Sequence, residues 1–406
     1  LMMATSAIAN ATNYVLPSIQ ESLQKQLQVS LDSVSRDSYI GGTRYVRGSR
    51  LGVIRQHMLG DPQEISLRID SDLTPGYLRG HVFDLYGRRH WYSADRLNYP
   101  QVRSVHDRAV LPASTGTAEL STPLNQPLNR FVLSPQANEK TINLEIHNEP
   151  LKGQLVFMPL TTRWVEAQSG ELIVTNHGII RLGVDVTKPY VAGVGLSVVK
   201  EDLDPLRRQL LLQVPDSISA TTRRVATQVC QNLPTAASKA AAVSQFFQSG
   251  FTYSLASFDR PRSADPIEYF LQERHPAHCE YFASATVMIL RSAGVPCRYV
   301  TGYVADEFSD DEDMWVARNG DAHAWAEAYD DATGQWFPVE STPGRTYQTV
   351  DPNEDIVEAD SFFAVFGRDD DSDGDSLFSR LFGWLLSTRV TDPLLLVLRI
   401  GQLPLF

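Results

Sequence analysis

A thiol, an imidazole and a carboxylate follow one another at Cys279, His323 and Glu340, 44 and then 17 residues apart. Together these groups can run acyl transfer. The sulfur attacks a carbonyl, the imidazole takes and returns the proton, and the carboxylate holds the ring in the required tautomer. Base assistance of this kind is worth about 10²–10⁴ in rate.

The residues around each group predict the elements that must position it. Cys279 opens the run C-E-Y-F-A-S-A-T-V-M-I-L-R-S-A-G-V-P. Phe282, Thr286, Ile289, Leu290 and Ala293 recur there at helical spacing. Gly294 ends the helix and Pro296 prevents it resuming. Cys279 therefore sits in a first turn, where unpaired N–H groups and the helix dipole favour an anion. From that position the thiol is expected to fall below its ordinary pKa of about 8.5. The same N–H groups suit an oxyanion.

A strand, C-R-Y-V-T-G-Y-V, is predicted next, then a solvated acidic flap from Asp306 to Asp313. The strand D-A-H-A-W-A-E-A-Y puts His323, Trp325, Glu327 and Tyr329 on one face and four alanines on the other. Small residues there let a helix lie close. A last strand, Q-W-F-P-V-E, ends in Glu340. A meander of this order beside the helix brings imidazole and carboxylate together.

The runs C-E-Y-F-A-S-A, L-R-S-A-G-V-P-C-R-Y-V-T-G-Y, D-A-H-A-W-A-E-A-Y and W-F-P-V-E-S-T-P-G resemble the bacterial transglutaminase-like superfamily over about residues 250–345. The resemblance implies a papain-like core with Cys279 as nucleophile and His323 as general base. Glu340 stands where that family usually has Asp, so the neighbouring turn must absorb one more methylene. Upstream, L-R-I-D and P-G-Y-L-R-G-H-V-F-D-L-Y-G-R-R-H-W resemble the β-rich segment before the core in membrane-anchored members. That implies the soluble part of a membrane-tethered envelope protein acting on protein or peptide substrates.

Other residues carry two readings each. Tyr253, in F-T-Y-S-L, is a candidate second oxyanion donor or a structural tyrosine. His278 either tunes the pocket or is solvated, and Trp325 either walls the pocket or fills the core. Glu327 reads as solvated. Cys230 and Cys297 read as core, and three cysteines are no disulfide framework. His275, His278 and Cys279 form H-x-x-H-C without a second pair at zinc spacing, so no metal or cofactor is expected. D-D-D-S-D-G-D-S-L from Asp369 matches early calcium-loop positions, but Arg380 stands where the closing Glu belongs, and a solvated linker is expected.

The 406 residues, 43% hydrophobic and 21% charged, suit a soluble globular protein of two or three domains. A net charge of −12 argues against a nucleic-acid partner. The expected class is α+β. A lead-in helical segment is expected over 1–40 and a β-rich domain over 41–200, where Ile65, Leu67, Ile69 and Ile142, Leu144, Ile146 alternate with polar residues. The catalytic domain is placed at 201–350, and an acidic linker with an amphipathic tail at 351–406. Arg380, Arg389, Asp392 and Arg399 break the tail's apolar run short of the ~18–20 residues that span a bilayer. Leu1 at the start suggests a fragment or processed form, and the opening residues lack the basic region of a signal peptide. Three functions remain: acyl transfer to an amine, hydrolysis by a cysteine peptidase or amidase, and a non-catalytic envelope binding module.

Overall fold

The computed structural model describes residues 50–344, apart from 88, 94–106, 119, 122–125, 135–139, 150–154, 257, 259–260 and 262. The expectations for 1–40 and 351–406, including the Asp369 loop, lie outside the described residues.

One helix organises the candidate site. α6 (Cys279–Ser292) is buried on every side from Cys279 to Arg291, not along one stripe as its spacing predicts. The reason is its position between a sheet and other helices. On one side lies an antiparallel sheet in the order β17 (Gln335–Val339), β16 (Ala322–Asp330), β13 (Cys297–Ala305), β2 (Gly76–Phe83). The alanine face of β16 meets the helix, and all four alanines are buried. On the other side pack α3 (Asp216–Cys230), α4 (Ala236–Gly250) and α5 (Pro266–Glu273). Rings of Phe247, Phe270 and Phe282 join α4, α5 and α6 at centroid distances of 5.1–6.0 Å. Aromatic pairs of this kind add about 0.5–1.5 kcal/mol beyond their burial.

Local chemistry sets the helix ends. Thr235 and Ser238 form a capping box at the start of α4. The Asp265 side chain accepts from the Ile267 amide, with Pro266 as the first helical residue of α5. α6 stops at Gly294, whose φ of 80° only glycine adopts freely, and the Val295 amide donates back to Leu290 O at 2.9 Å. This is the predicted stop.

The larger sheet has eight strands in the order β14 (Glu307–Ser309), β15 (Met314–Arg318), β1 (Ile65–Asp70), β8 (Ile142–Asn148), β12 (Tyr190–Val194), β9 (Thr162–Ala167), β7 (Asn129–Val132), β6 (Ser114–Thr115). Its alternating strands β1 and β8 are those predicted. Smaller sheets join β5 (Arg108–Val110), β10 (Leu172–Val174) and β11 (Ile180–Leu182), and β3 (Leu85–Gly87) with β4 (His90–Tyr92). The fold is α+β, with a β-rich region ahead of the core. The β-rich region also holds a short helix, α1 (Val53–Gly60), and α2 (Pro205–Leu211) follows it in the chain.

Two exchanges cross the expected boundary near residue 200. β2, from the upstream part, forms the edge of the sheet that carries His323. β14 and β15, from the downstream part, form the edge of the eight-stranded sheet, with Trp315 opposite Ile69. Part of the acidic stretch expected as a flap is therefore a paired strand. Gly302 permits the first exchange. It faces Arg79 on one side and His323 on the other, and a Cβ there would lie 1.9 Å from Leu78 O. Among the described residues no helix is long and apolar enough to cross a membrane.

Candidate active site

Cys279 is the first residue of α6 and is 0% exposed. The backbone N–H groups of Ala324 and Glu280 favour negative charge on its sulfur. Ala324 follows His323 on β16, so the alanine face that seats the helix also brings the thiol to the histidine's peptide. His323 is buried, and its Nε2 lies 2.6 Å from Glu340 Oε2. Glu340 stands one residue past β17. The S-T-P-G turn folds the Thr342 amide back onto Glu340 Oε1 at 2.8 Å. The extra methylene is thus accommodated with both carboxylate oxygens bonded.

A residue from the far end of the chain completes this arrangement. The Tyr77 hydroxyl, from β2, donates to Glu340 Oε2 at 2.9 Å. Its ring lies 5.1 Å from that of Trp325 and 6.3 Å from that of His323. Trp325 and His323 are nearly parallel, at 16° and 6.3 Å. Trp325 is buried, packs with Val82, Ile179 and Val300, and lies beside the imidazole.

The electrostatics correct one expectation. Burial pushes the Cys279 thiol far above its ordinary range, and the charges of Glu280 and Glu340 add to that. The Ala324 and Glu280 amides pull the other way without offsetting it. A helix N-terminus alone would lower the pKa; complete burial outweighs it. Glu340 behaves oppositely. Burial would raise its pKa, but the charge and hydrogen bond of His323, with the Thr342 amide, hold it at about 2.

His278 caps α6 and is buried, not solvated. Burial, then the charges of Arg55 and His275, push it down to about 3, so it lends the thiol no positive charge. Glu280 is 0% exposed and is the residue that sequence reasoning missed beside the nucleophile. Its Oε2 accepts from the Gly52 amide at 2.9 Å and the Arg55 amide at 3.3 Å, which plugs the carboxylate into the start of α1. Burial raises its pKa to about 8, and those amides temper the rise. A single acid in a mostly apolar helix is the available signal. Glu327, expected to be solvated, is buried between Arg79 Nε at 3.1 Å and Arg298 Nη2 at 2.7 Å.

Tyr253 does not lie in a full strand. It makes one parallel bridge to Ala277, two residues before the nucleophile, and the Ser254 amide donates to Ala277 O at 2.9 Å. Its backbone thus flanks the approach to Cys279. Cys230 and Cys297 are buried, as expected of core thiols.

The family model described as the transglutaminase-like superfamily matches residues 223–341, a stretch that contains Cys279, His323 and Glu340. Residues 223–341 belong to the transglutaminase-like superfamily. A protein-glutamine gamma-glutamyltransferase of Pseudomonas aeruginosa is 30% identical over 144 residues, covering 35% of this chain and 21% of that protein. The uncharacterized protein YebA of Bacillus subtilis is 31% identical over 156 residues, covering 37% and 21%. The chain thus matches about a fifth of the length of each of these relatives. The periplasmic domain of TgpA from P. aeruginosa shares the fold more widely, with a TM-score of 0.54 and 19% identity over 71% of this chain and 91% of that one. The common fold therefore includes β-rich structure outside the transglutaminase-like segment.

Proposed function

We propose that this chain is a thiol-dependent acyltransferase that acts on protein or peptide amides through Cys279, His323 and Glu340. The observation that carries this reading is the 2.6 Å contact of His323 Nε2 with Glu340, which leaves Nδ1 as the ring nitrogen for the thiol. A free thiolate is disfavoured by burial, so the proton passes to His323 as the sulfur attacks. The new C–S bond forms, and the carbonyl oxygen takes the electron pair. The Cys279 amide holds that oxyanion, with Tyr253 as the candidate second donor. The C–N bond then breaks, and the leaving amine or ammonia departs with the proton from His323. A second amine attacks the thioester and gives its proton to His323; the C–S bond breaks, and the sulfur takes that proton back as the thiol. Water in that role would make the carboxylic acid instead.

The gamma-glutamyltransferase relative supports an amine acceptor, and the hydrogen bond of Glu340 to His323 supports a catalytic site over a non-catalytic module. The periplasmic neighbour supports an envelope location, with the described region as the soluble part of a membrane-tethered protein. The test is incorporation of a fluorescent primary amine into a glutamine-bearing protein, with Cys279→Ala as control. Cys279-dependent incorporation is expected. Release of ammonia or peptide without incorporation would replace this reading with an amidase or peptidase, and no Cys279-dependent turnover of either kind would defeat both.

A further inference from the structure

Along β16, on the face that carries His323, Trp325 separates the candidate active site from a second polar region around Glu327. There a cavity of about 220 Å³ opens between the four-stranded sheet and the segments around Asn176 and Lys200. Its volume is that of about seven waters. Pro159, Leu160 and Val198 line one side. Arg79, Arg298 and Trp336 line another, with the Arg298 guanidinium 3.8 Å from the Trp336 ring centre.

The charges around this cavity do not cancel. Buried Arg79 and Arg298 share one carboxylate, Glu327. Arg207 pairs with Glu201. Asp84 is engaged by His177 Nε2 at 2.9 Å. His177 Nδ1 accepts from Arg207 and Arg298 at 3.2 Å each, so that ring adds no cation. Lys200 and Arg108 at the rim leave five cations against three carboxylates. A second, independent observation points into the cavity. Asn176 lines it, and both its amide nitrogen and its amide oxygen are buried with no partner among the described residues. Buried polar atoms in proteins are nearly always paired.

We propose that this cavity binds a compact oxyanion, a carboxylate or a phosphate monoester, recognised by the surplus cations and the Asn176 amide. The apolar side favours a short hydrocarbon body on the ligand. The site is separate from the transglutaminase-like chemistry, since Trp325 and its apolar neighbours fill the space between.

The test titrates the full chain with isovalerate and, separately, with inorganic phosphate at low ionic strength, by calorimetry and tryptophan fluorescence. Saturable binding of at least one is expected. Asn176→Ala should weaken it about tenfold. Lys200→Ala should weaken it too and reduce its salt dependence, and both variants should keep the wild-type alkylation rate at Cys279. Binding of isovalerate alone identifies an apolar carboxylate; binding of phosphate alone identifies a phosphate ester. No saturable binding of either up to about 10 mM, or binding that both substitutions leave unchanged, overturns the proposal. Should Asn176→Ala fail to fold, the exposed Lys200→Ala decides it.

Discussion

Tyr77 and His323 converge on a single oxygen of Glu340: the tyrosine hydroxyl at 2.9 Å and the imidazole Nε2 at 2.6 Å both meet Oε2. The carboxylate is therefore oriented by strands from both parts of the chain. Removing the hydroxyl leaves the ring packing in place and loses one hydrogen bond to a charged acceptor, worth about 1.5–3 kcal/mol. Tyr77→Phe should slow Cys279 alkylation at pH 7 by about tenfold or more without lowering the melting temperature by more than a few degrees. An unchanged rate would show that Tyr77 does not position the carboxylate.

The imidazole itself should matter more. His323→Ala is expected to slow Cys279 alkylation and amine incorporation by about 10²–10⁴, because the buried thiol then has no acceptor for its proton. Mass spectrometry of the three cysteines provides an internal reference, since Cys230 and Cys297 should not respond.

The side-chain length at 340 gives a sharper test. Tyr77, His323 and the Thr342 amide are set for a Glu carboxylate. Glu340→Asp should therefore lose about tenfold in turnover even though it restores the residue usual in the superfamily. A gain in rate on that substitution would show that the site is not tuned to the longer side chain.

Acid titration follows from the depressed pKa of Glu340. The ordinary value of 4.5 falls to about 2 in the folded chain. The stability this adds is fully present above about pH 4.5 and is lost as pH falls through about 2. In urea titrations, the advantage of the wild type over Glu340→Gln should hold at pH 5 and shrink steadily towards pH 2. A gap that stays constant across that range would contradict the linkage.

Glu280 has the opposite sign. Its pKa rises from 4.5 to about 8. Between those values the folded chain keeps a proton that the unfolded chain has released, so stability falls as pH rises and levels off above 8. Glu280→Gln should remove that decline. Above pH 8 it should also speed Cys279 alkylation, because the neighbouring negative charge is gone. Stability curves of the two proteins that run parallel from pH 5 to 9 would exclude the assignment.

The parts of this site legible in the sequence are those set by short-range pattern. The helical run after Cys279, the alternation around His323 and the turn after Glu340 are local signals, and the elements formed where they predict. In the aromatic run from Tyr77, Trp91 is fully buried. Nothing near Tyr77, however, points to a carboxylate 263 residues away. Glu327 alternates with Ala326 and Ala328 and so looks like a surface acid; only the pairing of β16 with β13, and of β13 with β2, delivers the two arginines that bury it. The thiol pKa failed for the same reason. The dipole at a helix start is visible in a sequence, but the amount of water removed from it is set by everything packed around it.

The strand exchange also determines what counts as a unit of folding here. Cutting the chain to the superfamily segment, residues 223–341, would remove β2 and α1. The loss of β2 would strip β13 along one whole side, leaving a row of unsatisfied N–H and C=O groups beside buried Val300 and Tyr303. Such an edge invites pairing between chains. The loss of α1 would leave the Glu280 carboxylate without the amides that hold it. The segment that carries the superfamily signature is therefore not a self-sufficient module, and when isolated it should associate through the bared edge of β13 instead of remaining a monomer.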